Sequence, residues 1–380
     1  MIPMALIYTE DQKSLIEMVK DMAEREVKPH VAECDRTGIT PIELFDPALE
    51  MGLHLLEIPE EYGGAGMDFA TSAMIFEELA KVDAGYADTI VTTFVALRNV
   101  IIAGTPEQAQ RFADVVADGG FACFAITEPG AGSDAGALRA TAVPDGKGNY
   151  VLNGTKCFAT NGECASLYVG FFRIPDVGIT AFMFDRDTPG FSVGAHEDKM
   201  GFRMSNTTDL IFEDVVLPES AIVGVPGKGL NIALSGLNIS RAFLSTMGVG
   251  IMQRALDEAV AYAKVRVQFG KPIIKQQMVQ QMLADMAIKV EASRVLVNNT
   301  MKMIDAGMDV RKEASITKTF VTDSMQEVTS NAIQVFGGYG YSREYPVEKL
   351  MRDAKIFQIF EGTNQIQRLT IAKCLEKEYE

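Results

Sequence analysis

Three long stretches near the end of the 380-residue chain keep an apolar face at helical spacing, and this constrains the fold more than any other feature. They are TMGVGIMQRALDEAVAYAKVRVQF, QQMVQQMLADMAIKVEASRVLVNNTMKMIDAG (ending at Gly307) and VRKEASITKTFVTDSMQEVTSNAIQVFGG. Helices of this length are held mainly by packing, so their apolar faces must be buried on one another. With a further helix after Thr363, residues 227–380 are expected to form a four-helix bundle.

The first third is helical too, but in shorter pieces. YTEDQKSLIEMVKDMAEREV opens with a capping box, Thr9 as N-cap and Gln12 three residues on, and Leu15, Ile16, Val19, Met22 and Ala23 then share one face. The periodicity continues in PIELFDPALEMGLHLL, DFATSAMIFEELAKV, the stretch after Gly85, and TPEQAQRFADVVADG. Residues 1–119 therefore read as an N-terminal helical domain. From about Gly120 short β-branched or aromatic runs appear between Gly, Pro, Asn and Asp, as in YVLNGTKCFATNG, SLYVGFFRI and DLIFEDVVLPE. Without long helices between the strands, this is a middle antiparallel β domain over 120–226 and not a doubly wound sheet. The fold class is α+β, mainly α.

A formal net charge of −16 argues against nucleic acid or anionic membrane as the main partner. Five scattered cysteines with no CxxC pair fit reduced thiols in a cytoplasmic protein. His30, His54 and His196 lack metal-ligand spacing, so no metal site is expected. The N-terminus has no basic n-region, so the chain is expected to begin directly with folded structure, and no uninterrupted apolar run reaches the length of a membrane span.

Several stretches could carry chemistry. In FAITEPGAGSD, Gly130 and Gly132 allow a tight turn whose N–H groups and hydroxyls could face an anion or a flat polar ring, though a plain Gly-rich turn would look the same. In KCFATNG, strand alternation puts Phe158 and Thr160 on one face, as a stacking ring beside a hydroxyl or as core Phe beside a satisfied Thr. Arg266 in RVQFGK precedes a helix break, where it could meet a phosphate or face the helix dipole. QVFGGYGY is a glycine-rich helix end, suited to a C-cap or to a ligand.

Taken in order, TEPGAGSD, NGTKCFATNG, RVQFGKPI, QVFGGYGY, YPVEKLMRDAK and IFEGTNQIQR resemble the flavin-dependent acyl-CoA dehydrogenases across essentially the whole chain. The resemblance implies FAD as cofactor, an acyl-CoA substrate, an electron-transfer flavoprotein or similar acceptor, and a homotetramer in which subunits share the cofactor. Phe124, Ile126, Thr127, Gly132 and Ser133 would line the flavin, with Phe158 stacking near it and Thr160 bonding near its N5. Arg266, Phe269, Gln277, Gln334, Gly337 and Gly338 would hold the adenine and pyrophosphate half, partly across a subunit boundary, and Thr363 and Gln365 would also contact FAD. Ser133, Asn238, Arg241 and Gly362 would meet the substrate or its CoA. Two positions depart from the family: Phe158 stands where tryptophan is often found, and Asn238 where aspartate is frequent.

In IFQIFEGTNQIQR a lone glutamate, Glu361, sits among apolar and amide residues. Ile359 and Phe360 would strip its water and strengthen it as a base, while Gly362 lets the backbone pass close and Thr363 and Asn364 offer polar contacts to the cofactor. The resemblance makes Glu361 the base that takes the α-proton of a thioester while the β-hydrogen leaves as hydride to flavin N5, giving an enoyl-CoA; the plainer alternative is a cap for the last helix. Asp88, with Val91, Thr92 and Val95 at helical spacing, lies where the family lines its acyl pocket. Facing that pocket, it points to a compact, polar or alicyclic acyl group such as a cyclohexane- or cyclohexene-carboxyl thioester, with Asp88 as a second base; the alternative is a solvated Asp near a helix start. A short-chain linear dehydrogenase or an enoyl-CoA reductase is the competing function.

Overall fold

The computed structural model describes residues 8–379. The N-terminal part consists of α1 (Glu10–Met22), α2 (Val31–Thr37), α3 (Asp46–Glu50), α4 (Phe69–Val82), α5 (Ala84–Ala103) and α6 (Pro106–Ala117). The capping box of α1 forms: Gln12 N–H donates to Thr9 Oγ1 at 3.2 Å and Thr9 N–H to Gln12 Oε1 at 3.1 Å. Ile16, Val19, Met22 and Ala23 are buried behind it, with Leu15 only partly so. The pair Thr105 and Gln108 caps α6 in the same way. By length and composition α5 could cross a membrane, but most of it is buried in the protein interior.

The middle part contains β1 (Phe121–Ala125), β2 (Thr141–Pro144), β3 (Asn149–Thr160), β4 (Ala165–Ile174), β5 (Gly178–Asp185), β6 (Phe191–His196), β7 (Thr207–Pro218) and β8 (Ile222–Val223). These form one sheet in the order β6-β7-β3-β2-β4-β5-β8, with β1 on β4. Pairing is mostly antiparallel; β1 runs parallel to β4, and β2 touches β4 in parallel at Thr141 and Arg173. Strand β4 is buried on both faces, and its residues divide with the period of two. Leu167, Val169 and Phe171 join the main helical core, whereas Tyr168 and Phe172 join a second core with Phe182, Phe184 and Phe212.

The C-terminal part holds α7 (Gly229–Val265), the short hairpin β9 (Val267–Gln268) and β10 (Lys271–Pro272), then α8 (Gln277–Asp305), α9 (Arg311–Phe336), α10 (Val347–Ile356) and α11 (Asn364–Glu378). Helix α7 starts well before the apolar stripe that announces it. Its first turns, GLNIALSGLNIS, are rich in weak helix formers and are held by packing, with Gly236 against Asn99 of α5. Helix α10 adds a fifth helix to the four expected and packs on α9. Helices α4 and α5 also lie on α7, so the two helical parts share one core.

A buried ion pair fastens this junction. Arg294 of α8 donates to Glu77 of α4 at 2.9–3.0 Å and to Gln253 of α7 at 2.7 Å. Replacing Arg294 with Met leaves Glu77 buried and unpaired, so Arg294→Met is expected to destabilise the protein by about 3–5 kcal/mol, measured as a lowered midpoint of thermal or urea unfolding.

Candidate active site

Glu361 lies in the turn between α10 and α11, in a left-handed conformation (φ 55°) that a non-glycine residue adopts at a cost. The helix cap is Thr363, whose Oγ1 accepts from Ile366 N–H at 3.3 Å, so Glu361 is free of that duty. One carboxylate oxygen, Oε2, is buried with no hydrogen-bond partner. Burial pushes the Glu361 carboxyl up to about 7, against the nearby charges of Arg241, Arg98 and Lys318. The drying is not the work of Ile359, which is 50% exposed. Phe360 is partly buried against Phe357 and Phe202, with ring centroids 5.0 and 6.0 Å away.

The main chain of this turn is clamped. Arg241 Nε of α7 donates to the Glu361 carbonyl at 3.0 Å, and Gln367 Nε2 donates to the carbonyls of Glu361 and Gly362 at 3.1 and 2.9 Å. Lys318 of α9 donates to the Gly362 carbonyl and to Asn364 Oδ1, both at 2.9 Å. Asn364 is buried and bonded to Thr322 and Asp323, so it anchors the turn and is not available to a cofactor as expected. Asn238 is likewise engaged, accepting from Arg241 Nη1 at 2.8 Å, which orients that guanidinium. Gly362 has φ 88°, and a Cβ there would stand 2.8 Å from Gln367 Nε2. Gly362→Ala is therefore expected to disturb the Gln367 clamp and cut turnover at least about tenfold while the protein still folds, read by steady-state kinetics beside circular dichroism.

Asp88 is not a solvated helix-start residue: it is 3% exposed, as are, to a similar degree, Val91, Thr92 and Val95. Ser205 Oγ donates to its Oδ2 at 3.0 Å. Burial raises the Asp88 carboxyl to about 7; Ser205 and Lys199 oppose this, and the negative charge of Glu361 adds to it. The two carboxyls thus share one electrostatic neighbourhood. Ser205 sits on a loop with Phe202, which packs on Phe357 and Phe360 and whose N–H donates to Asp353 at 2.5 Å. Lys349 fixes that loop by pairing with Asp353 and with Asp83, the latter at 2.6 Å. This network accounts for Lys349 and Asp353 of YPVEKLMRDAK.

Further along α5, Arg98 is buried between Glu57, to which Nε donates at 2.9 Å, and Ser240 Oγ, also at 2.9 Å. It lies over the Phe243 ring at 4.9 Å. Asp88 and Arg98 stand about 15 Å apart along the helix axis, and the charge of each acts on or is acted on by Glu361.

The stretch 124–133 folds beside β3. Glu128 and Ala131 exchange backbone hydrogen bonds of 3.1 and 3.0 Å, making a tight turn, and Cys157 N–H donates to the Thr127 carbonyl at 2.9 Å. Glu128 accepts from the N–H of Arg139 and Ala140 and from the buried Lys156 Nζ at 2.7 Å, which locks the turn. Phe124, Ile126 and Thr127 are half-buried, and Gly132 and Ser133 exposed. Phe158 is not core: it is 64% exposed with φ 54°, at a bulge between Lys156 and Ala159 that interrupts the strand alternation, and Thr160 is half-buried. Asn161 ties this strand end to α5 and β1, donating to the carbonyls of Thr89 at 2.7 Å and Ala122 at 3.1 Å.

A separate cavity of about 760 Å³ opens at the far end of the bundle. Arg266, Phe269, Gly337 and Gly338 line it, together with Tyr262 and Tyr339, and no residue of 124–133, 158–160 or 361–365 does. Arg266 caps α7 and lies over the Tyr339 ring at 5.6 Å. Phe269 is 94% exposed with φ 53°. Gln277 opens α8 and Gln334 lies in the last turn of α9, both exposed, as is Gln365 at the start of α11. A Cβ built on Gly130, Gly132, Gly337 or Gly338 would meet no protein atom within 4 Å. Bare backbone facing open space, beside exposed aromatic rings and an arginine, fits a dinucleotide with a flat ring system at one end.

A helical domain, a β domain and a helical bundle, with a partly buried glutamate whose Oε2 has no partner, match the architecture that the resemblance to flavin-dependent acyl-CoA dehydrogenases implies. Three family models match in chain order: the acyl-CoA dehydrogenase N-terminal domain over residues 9–120, the middle domain over 123–215 and the C-terminal domain over 227–376. The chain belongs to the acyl-CoA dehydrogenase family. It is 41% identical over 373 residues to an acyl-CoA dehydrogenase of Bacillus subtilis, covering 97% of this chain and 98% of that one. It is 40% identical to the cyclohex-1-ene-1-carbonyl-CoA dehydrogenase of Syntrophus aciditrophicus, covering 97% of this chain and 90% of that one. The solved structure of butyryl-CoA dehydrogenase from Megasphaera elsdenii superposes with a TM-score of 0.94 at 39% identity, covering 98% and 99% of the two chains.

Proposed function

We propose that the protein removes two hydrogens from a compact acyl-CoA, with Glu361 as the base for the α-proton. The observation that carries this reading is the Glu361 carboxylate, dried, unpartnered at Oε2 and held in a strained turn that Arg241, Gln367 and Lys318 brace. A carboxyl raised to about 7 is a stronger base than an ordinary carboxylate and is still about half ionised at neutral pH. The α C–H electrons form the new double bond as the β-hydrogen departs as hydride. FAD, when bound, supplies the acceptor for that hydride. Thr127, Phe158 and Thr160, with Phe124, Ile126, Gly132, Ser133, Thr363 and Gln365 around them, are the residues that would hold its ring end. Arg266, Phe269, Gln277, Gln334, Gly337 and Gly338 would hold its nucleotide end, in a homotetramer from a neighbouring subunit. The Glu361 N–H polarises the thioester carbonyl, a donor worth about 2.7–4 kcal/mol in sites of this kind. Ser133, Asn238, Arg241 and Gly362 are the residues that would meet the substrate or its CoA.

Asp88 extends the reading to a ring substrate. It is a second raised carboxyl, buried on α5 about 15 Å along the helix axis from Arg98, which bonds Ser240 of α7. A saturated linear tail gives such a group nothing to do, whereas in a cyclohexene-carboxyl thioester it can take a proton from a ring carbon as hydride leaves another, yielding a diene. The similarity to the cyclohex-1-ene-1-carbonyl-CoA dehydrogenase supports this version. The likeness to butyryl-CoA dehydrogenase supports a short linear substrate instead. An electron-transfer flavoprotein is the acceptor that would reoxidise the enzyme. The test is anaerobic bleaching of the flavin band by linear, branched, dicarboxylic and ring thioesters. Fastest bleaching by a ring thioester is the expected result; bleaching by butyryl-CoA alone would favour the linear reading, and bleaching by none would contradict both.

A further inference from the structure

Lys318 is a buried cation whose charge the reaction as described does not use, although its hydrogen bonds brace the Glu361 turn. It is 1% exposed, on the inner face of α9, and burial pushes its amine down to about 7. Putting an ammonium there is costly, and a neutral donor could bond two carbonyl-type oxygens as well. Two carboxylates act on its charge, Glu361 and Asp323, with Arg241 opposing. Asp323 is already occupied, accepting from Arg368 at 2.6 Å and from Gln358 and Asn364 at 2.7 Å. Glu361 is the one with an unpartnered oxygen.

We propose that Lys318 is a positioning residue for Glu361: through the Gly362 carbonyl and Asn364 it holds the left-handed turn, and its charge keeps the adjacent carboxylate ionised in a dry pocket. Two consecutive left-handed residues, Glu361 (φ 55°) and Gly362 (φ 88°), leave their carbonyls turned inward to Arg241, Gln367 and Lys318. A lysine bonded to two oxygens keeps one of its three donors uncommitted. The charged groups around Glu361 are Arg241 from α7, Arg98 and Asp88 from α5, and Lys318 from α9; Arg98 also pairs with Glu57. Arg241, Arg98 and Lys318, in that order of effect, are the cations that offset the cost of a bare carboxylate, and Lys318 does so from the side of the bundle.

The inference rests on Glu361 as the α-proton base, and the experiment separates the two. In holoenzyme, the Glu361 carboxyl is titrated by isotope-edited infrared spectroscopy, with its band assigned by subtracting Glu361→Gln. In parallel the acidic limb of kcat/KM is followed. Lys318→Met and Lys318→Gln are expected to keep FAD and to move both the infrared titration and the kinetic limb upward by about one pH unit, a roughly tenfold loss of kcat/KM below the limb. Thr322→Val loosens Asn364 without removing charge and is expected to leave the titration where it was. Lys318→Arg, by keeping a cation, is expected to restore it. An unmoved infrared titration in both neutral variants would overturn the role of Lys318. A shifted titration with an unmoved kinetic limb would leave the charge effect standing and count against Glu361 as the base, and if Lys318→Met does not fold, the Gln and Arg pair decides.

Discussion

Glu361→Gln is expected to bind FAD normally, with an unchanged visible spectrum, and to lose dehydrogenation by at least about 10²–10⁴-fold, the usual worth of a positioned general base. The amide keeps the size of the side chain, the left-handed turn and the carbonyl contacts to Arg241 and Gln367, so binding survives while proton removal fails. The same variant makes a second, opposite prediction about stability. Because burial raises the Glu361 carboxyl from 4.5 to about 7, the folded state prefers its neutral form; the stability this gives is fully present below about 4.5 and is lost as pH rises through about 7. Glutamine stays neutral, so the variant should melt at a higher temperature than wild type above pH 7 and at the same temperature near pH 4. Thermal unfolding at the two pH values checks this, and a variant less stable at both would show that the carboxylate is not strained by its site.

Asp88→Asn carries the next largest effect, and it is selective. On a cyclohexene-carboxyl thioester the variant is expected to lose about 10²–10⁴ in kcat, because no second base remains for the ring proton. On butyryl-CoA, which needs Glu361 alone, it should stay within a few-fold of wild type. The Ser205 hydrogen bond can be kept by the amide oxygen, so the pocket wall should hold. Initial rates with the two thioesters decide the matter. Equal losses on both would make Asp88 a packing residue, and equal retention would remove it from the chemistry.

Much of this was readable before any coordinates, wherever local chemistry acts over a few residues. The capping pair Thr9–Gln12, the stripes of α8 and α9 and a last helix after Thr363 all declare themselves within a few turns of helix. Glu361 was visible because a carboxylate among apolar and amide residues needs a reason to be there. Long-range and conformational features were not. The parallel seating of β1 on β4 pairs residues as far apart in sequence as Phe121 and Ala165, and nothing within either strand reports it. The left-handed backbone at Phe158, Phe269 and Glu361 gave no signal, since none is a glycine. Lys318 looked like one more lysine on a helix; its partners, Gly362 and Asn364, lie across the bundle. Asn364 misled in the other direction: next to Gly362 it resembled a cofactor contact, yet tertiary packing spends its side-chain amide on α9.

The most direct test of Glu361 as the α-proton base does not depend on hydride transfer. Enzyme in deuterium oxide is mixed with a thioester that is acidic at the α-carbon and cannot be oxidised, and label entering that carbon is followed by mass spectrometry. Wild type should incorporate deuterium at the α-carbon and Glu361→Gln should not, although both bind the thioester. Incorporation by the glutamine variant at the wild-type rate would contradict the assignment.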